Sequence, residues 1–509
     1  MKIFLMLMIV FSAIYGAIYW SARDELRRYI GGRFYAGYAL TMLCGFILPS
    51  LVLFDAAAFV IFVATVRNRV DAVCRYVMMV LLAPSLSLPI QAGSTYLLDI
   101  SVIFVLSMAL AVSLLMYPAP RLAKPRGFAP EDALVVILIA LFWIAADRFS
   151  SSTVFLRNGL GQLLGIGFIY VLLRQNVRSA QEARLLFGCV AVVAGLLAGL
   201  AVVEATLGWS FYSPVLNGLS VRGGISAYSM KRGDLLRAAV SMSGPLNLGC
   251  FLLIGIVAVL SSRSLLGTRW QWQCALALTF VGLLATQSRG NLVGLVLGVG
   301  VFMLARGKGG RAIGVVIAAG VIGGVAMLLA KHSGFLSGMF AQNEALPGEY
   351  YDYRELLLSR GLEEGAKHPI FGARLSDVID RLQDITQGQH IVDMVNTYLT
   401  IYLISGLVGL ACFLGVAGLV LARLVTGFRG LRDPEVIRLR AFVLAGIVML
   451  LFQISFMSLI DRMPFLIALM LAASRLIYTV HRRQRTAARQ GQGDPASAPT
   501  RHRGSPALA

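Results

Sequence analysis

Arg289 stands in the stretch ATQSRGNLVG, Ala285 to Gly294, at a tight turn between two apolar runs. An arginine there has two readings. It snorkels its guanidinium to the lipid headgroups, or it forms an anion site in which the planar fork grips a phosphate through two parallel hydrogen bonds. Arg222, Arg237 and Arg354 lie in longer polar segments and would join it if those segments fold over the same helix ends. A second set bears proton chemistry. If their segment is helical, His390 and Asp393 are i,i+3 neighbours, and the carboxylate would orient and activate the imidazole as a base. The competing reading is a solvated loop histidine beside an aspartate favoured by a helix N-terminus. His368, directly before Pro369, either sets a turn or touches substrate. Glu204, near the end of an apolar run, is a costly residue to place there. It either pairs with an outer arginine or reaches water, and Asp55 and Asp99 pose the same question with less context.

The elements that must position these side chains are membrane helices. Of the 509 residues, 58% are hydrophobic and 14% charged, with a mean hydropathy of +0.78; a soluble protein carries roughly 25% charged residues. Apolar runs near the length of a bilayer crossing recur at 1–20, 34–48, 50–66, 75–90, 96–117, 132–147, 155–173, 185–205, 243–261, 270–286, 290–305, 312–330, 397–421, 441–458 and 463–480. The expected fold is all-α, a polytopic membrane bundle of about 14 or 15 helices. Pro49 and Asp55 interrupt residues 34–66, which are read as two spans. The first run lacks a small-residue cleavage site and is taken as a retained helix. Cys44, Cys74, Cys189, Cys250, Cys274 and Cys412 all lie in apolar runs or short loops, so structural disulfides are not expected.

Charge sets the orientation. The net charge of +20 would suit nucleic acid, but the cations sit in alternating short connectors, as membrane topology requires. The connectors at 21–33, 67–75, 118–131, 174–184, 262–270, 306–311 and 422–440 hold 23 Lys and Arg, against three, Arg148, Arg289 and Arg462, in the short connectors of the other side. The first set is therefore expected in the cytoplasm. This places two long polar segments, 206–242 and 331–396, outside. The first is basic and rich in Gly and Ser, expected as an irregular loop. The second is acidic, with helices expected over Asp352 to Ala366 and Leu375 to Leu382. The expected domains are N-terminal helices 1–205, basic loop 206–242, helices 243–330 with the SRG turn, large loop 331–396, helices 397–480 and a disordered basic tail 481–509.

The ordered set of SRG in an outer turn, Tyr353-Arg354 on a helix, HPIFG at His368 to Gly372 and VNTYLTIYLISGLVG at Val395 to Gly409 resembles the O-antigen ligase and polymerase superfamily. LLRAAVSMSGPLNLG, from Leu235, is similar to that family's arginine-bearing re-entry into a helix, with Arg237 in that role. The resemblance covers about residues 237–409. It implies a glycan donor linked to undecaprenyl diphosphate and an acceptor that is either lipid A core or another lipid-linked glycan, outside the cytoplasmic membrane. Arg289, with Arg237, Arg354 and Arg222, would then face the pyrophosphate leaving group, where fixed cations stabilise charge developing in the transition state. The chain departs from the family at Val395. Ligases carry a histidine there, followed as here by Asn396, nine residues, and Gly-x-x-Gly at Gly406 and Gly409. Valine cannot take a proton, so Asp393 or His390 is the expected base, with Asn396, His368 and Glu204 in support. Gly406 and Gly409 themselves are read as sites of close helix packing.

No Asp-x-Asp, Walker motif or zinc spacing occurs in the sequence, so neither metal, cofactor nor nucleotide sugar is expected. The expected function is a metal-independent, inverting glycan polymerase of surface polysaccharide synthesis, with ligase as the alternative. A flippase for the same lipid-linked sugar and a non-catalytic scaffold are the rivals from other classes. A flippase would need charges deep along a path through the bundle and favours an internal repeat, and none is visible.

Overall fold

The computed structural model describes residues 2–92, 95–118, 127–148, 150–219, 231–232, 235–329, 349–385, 392–427 and 433–491. Each expected span contains a helix, and the chain is a polytopic helical membrane protein. Among the described residues, Lys2–Ser21, Ser152–Asn176, Ala180–Leu207, Thr397–Thr426 and Met463–Arg482 are long and apolar enough to cross a bilayer. Shorter apolar helices such as Pro245–Ser261 and Arg289–Ala305 stand among them. Residues 34–66 form two helices, Gly32–Ile47 and Leu51–Thr65. Between them Leu48 turns to extended backbone, as a residue before proline must.

Ala180–Leu207 is the centre of the bundle, and its small residues explain why. A Cβ on Gly199 would lie 2.6 Å from Ile14, and one on Gly188 would lie 2.7 Å from Leu265. Its Ala194 and Ala198 sit, in turn, where Gly255 and Gly282 leave room, within 2.3 and 2.5 Å of the Cβ positions those glycines lack. Lipid tails are as apolar as leucine, so helices associate in a bilayer where small residues let backbones approach. The helix starts at Ser179, whose side chain accepts from Glu182 N at 3.1 Å, and stops at Gly208, in the left-handed conformation with φ of 73°.

At the end that carries the cation-rich connectors, acids and bases lock the helices together. Arg423 reaches Glu131 at 2.7 Å, Arg174 reaches Asp132 at 2.9 Å, and Arg184 joins Glu435 at 2.6 Å and also Glu25.

Three sequence expectations are corrected. The span expected at 75–90 is instead the helix Arg69–Leu82 followed by a hairpin in which Ser87–Ala92 pairs antiparallel with Thr95–Ser101. Pro84 and Pro89 supply no N–H and would break a helix over these residues. Asp99 therefore sits in a strand opposite Pro89, and Arg75 lies within a helix, buried against Asp71 at 3.1 Å. The last helix runs from Met463 to Gly491, past the expected onset of the tail at His481; residues 492–509 lie outside the described residues. Finally, Thr397–Thr426 is broken at Gly406, which has φ of 64° and ψ of −163°. The HPIFG turn enters this break. Leu407 N donates to Pro369 O at 2.8 Å, Val408 N to Ile370 O at 3.2 Å, and Ala373 N to Leu403 O at 2.7 Å. Gly409 keeps a packing role, its missing Cβ leaving room for Ser405 of its own helix and for Leu141.

Candidate functional site

Helix Arg289–Ala305 begins at Arg289, whose side chain is exposed, while Thr286, Gln287 and Ser288 just before it are buried. The turn is strained: Gln287 has φ of 50°, a region that side chains rarely adopt. Asn291 of the same helix and Gln453 of the neighbouring Pro434–Gln453 hold it. Asn291 lies on Gly249, where any Cβ would collide with its amide, and donates to Leu246 O at 3.4 Å. Gln453 fills the space above Gly294 and donates to Gly290 O at 3.2 Å.

Arg237 is brought to this turn. Its Nε donates to Thr286 O at 3.3 Å, and Ala238 N donates to Ala285 O at 3.1 Å, so the segment runs beside the SRG turn. Glu204 holds that segment. The carboxylate is fully buried and accepts from Phe211 N at 2.8 Å, Ser210 Oγ at 3.0 Å and Val240 N at 3.0 Å. This corrects both sequence readings of Glu204, for it neither reaches water nor joins an arginine through these bonds. Backbone N–H groups satisfy it, and it ties the segment after Arg237 to the end of Ala180–Leu207.

The second arm carries Arg354 and Asp393. Helix Glu349–Ala366 matches the expected YR helix and packs one face on the start of Thr397–Thr426. Gly361 and Gly365 let Leu399 and Tyr402 approach to 2.8 and 2.2 Å of their missing Cβ atoms. Tyr353 clamps the Asp393 peptide, its hydroxyl donating to Asp393 O at 2.9 Å and accepting from Asp393 N at 2.8 Å. Burial raises the Asp393 carboxyl above its ordinary value, an effect that the Ser458 hydroxyl and the nearby charge of Arg354 partly offset. Asn396 is spent as a helix cap, its side-chain oxygen accepting from Tyr398 N at 3.0 Å and Leu399 N at 3.1 Å. His368 is exposed, and its backbone closes the HPIFG turn by accepting from Gly372 N at 2.9 Å. Val395 packs into the apolar cluster around Tyr353 and Leu399. Arg222 and His390 lie outside the described residues.

Sequence reasoning missed the element that connects the two arms, the loop at 454–462. Phe456 packs 3.9 Å from where a Gly290 Cβ would stand. Thr397 N donates to Ile454 O at 2.9 Å and Ser458 Oγ to Met394 O at 2.7 Å. Asp461, with φ of 54°, accepts from Ser243 N at 3.0 Å and from Ser85 Oγ. Arg462, counted from sequence only as an outer cation, is fully buried; it donates to Ser241 O at 2.5 Å and also to Ala83 O. The adjacent Asp461 and Arg462 at a helix start are the available signal, of which Arg462 alone is read from the sequence, for topology.

The fold and site define a polytopic helical membrane protein whose arginine-bearing segments and the buried Glu204 are gathered by loops at one end of the bundle. Residues 274–414 match the family model for O-antigen ligase, which supports the resemblance to the O-antigen ligase and polymerase superfamily. No curated protein matches the chain. The match contains Arg289, Arg354, Asp393 and Asn396; Arg237 precedes it and is tied to it by the hydrogen bond to Thr286.

Proposed function

We propose that this protein is a glycan transferase that moves a glycan from an undecaprenyl diphosphate-linked donor to an acceptor at the periplasmic face of the bacterial inner membrane. The observation that carries the reading is Arg237 bonded to the turn of Arg289 beside a chain stretch that matches O-antigen ligase. The acceptor hydroxyl attacks the anomeric carbon from the side opposite the pyrophosphate, inverting it. The bond from that carbon to the phosphate oxygen breaks, and its electron pair leaves with the pyrophosphate. Arg289 and Arg237, with Arg354 from the second arm, neutralise the departing charge without a metal. The hydroxyl proton passes to Asp393.

Polymerisation is favoured over ligation because Val395, at the position of the ligase histidine, is given to packing. The deciding experiment is the glycan profile of a deletion strain, with and without the wild-type gene. Single lipid-linked repeats accumulating without polymer establish a polymerase. Full-length lipid-linked polymer that never reaches lipid A core establishes a ligase, and repeats trapped in the inner leaflet a flippase. An unchanged profile removes the proposal.

Asp393→Asn tests the base. Burial raises the folded-state pKa of Asp393, so ionisation costs stability: the cost is absent below the unfolded pKa, grows as the pH rises above it and is complete above the raised folded pKa. The base requires the ionised form, so transfer should fall as pH drops through the raised pKa. Asparagine should therefore leave thermal stability at neutral pH equal or higher, cut transfer by about 10²- to 10⁴-fold, and abolish the acid limb of the pH profile. A variant that transfers with its acid limb intact excludes Asp393 as base.

A further inference from the structure

The far end of helix Arg289–Ala305, roughly 25 Å from Arg289 at 1.5 Å per residue, gathers cations from three segments. Arg263 follows Pro245–Ser261, Arg306, Lys308 and Arg311 surround the turn into Gly309–Leu329, and Arg438 lies in Pro434–Gln453. Arg440 docks the third segment on the second by donating to Ala305 O at 2.9 Å. The charges feel one another. The Lys308 ammonium is pushed down by Arg306, then by burial, Arg311 and Arg263, and Arg306 by burial, Arg438 and Arg311.

Carboxylates neutralise many of the interhelical cations at this end of the bundle, among them Arg174, Arg184 and Arg423. Among the described residues, Arg263, Arg306, Lys308, Arg311 and Arg438 have no carboxylate within ion-pairing distance. Two of the guanidiniums are steadied on rings, Arg306 at 5.3 Å from the Phe302 centroid and Arg263 at 5.5 Å from Trp272. Trp270, 73% exposed, and Leu304, 58% exposed, flank the cluster and face outward as an interfacial indole and a lipid-facing side chain do.

Converging like charges at an interface favour an anion held among them. We infer that this cluster binds the phosphate of an anionic phospholipid, bracing the helix that carries Arg289 against Pro245–Ser261 and Pro434–Gln453. Guanidinium forks suit a phosphodiester, and basic pockets between helices are where anionic headgroups lodge.

The test uses the full-length protein in neutral detergent, titrated separately with phosphatidylglycerol, cardiolipin, phosphatidylcholine and inorganic phosphate while thermal unfolding is followed. The anionic lipids should raise Tm by about 3 °C or more, and phosphatidylcholine and inorganic phosphate by less than a third of that. The triple variant Arg263→Gln, Lys308→Gln, Arg311→Gln should lose the selective rise. Equal shifts with phosphatidylcholine would reduce the effect to apolar solvation and overturn the proposal. Equal shifts with inorganic phosphate would make this a free-anion site and overturn the lipid assignment. A selective rise retained in full by the triple variant would place the lipid elsewhere. Should the variant not fold, the lipid selectivity of the wild type decides.

Discussion

Arg289→Ala is expected to lower glycan transfer by about 10²- to 10³-fold, the effect of removing one fixed charge-stabilising donor from a transition state. Because its side chain is exposed at the start of its helix, the same change should move Tm by little. That separation distinguishes an arginine that binds the leaving group from one that anchors the helix in headgroups, since the loss of a mere anchor leaves turnover intact. Arg289→Lys keeps the charge and loses the planar fork, so partial recovery is expected. Arg237→Ala should cost activity comparably. Its guanidinium also bonds Thr286 O, three residues before Arg289, so the double variant should lose less than the product of the two single losses. The measurement is transfer from a synthetic undecaprenyl diphosphate-linked donor by purified protein, with unfolding followed in parallel. If both alanine variants transfer at the wild-type rate, the pyrophosphate role is gone.

The second large effect is structural and acts at a distance. Gly406→Ala should destabilise the unit formed by helix Glu349–Ala366, the HPIFG turn and the start of Thr397–Thr426 by several kcal/mol, on the order of 3 or more, and abolish transfer. Two costs add. The backbone at φ of 64° and ψ of −163° is open to glycine and strained for any other residue. A Cβ there would also stand 2.2 Å from Ile370 O and 2.6 Å from Phe371 N, both main-chain atoms that cannot swing away. Relief requires expelling the HPIFG turn and forfeiting its hydrogen bonds to Leu403, Leu407 and Val408, each worth about 1 kcal/mol. Gly415→Ala, in the same helix with open space at its Cβ position, is the control and should be neutral or mildly stabilising. Limited proteolysis should open helix Glu349–Ala366 in the Gly406 variant and spare the remaining helices. Equal stability of the two variants would show that the break in the helix is not rigidly required.

Hydropathy located the spans because burial in lipid demands long apolar runs with satisfied backbones, and that demand is written residue by residue. It failed at 75–90, where the run is apolar enough but two prolines deny it a helix and a hairpin satisfies the backbone instead. The same local reading found the helices Glu349–Ala366 and Leu375–Arg381. It misread Gly406, because Gly-x-x-Gly serves both close packing and a helix break, and only the partner, here a loop 34 residues upstream at Gly372, tells them apart. Glu204 was legible only as a carboxylate costly to place near the end of an apolar run. That it is buried and held by the N–H groups of Phe211 and Val240 depends on how two turns fold back on it.

Composition, hydropathy and the ordered motifs thus determined a polytopic helical membrane protein with an O-antigen ligase-like region and candidate arginines at one face. These properties follow from each residue's own transfer energy and from short-range spacing. The tertiary structure alone decided that the turn of Arg289 and the segment of Arg237 lie side by side, that Tyr353 seats Asp393, and that the loop at 454–462 joins both arms. Contacts between residues far apart in the chain depend on how helices pack, and no local pattern encodes which loops that packing brings together.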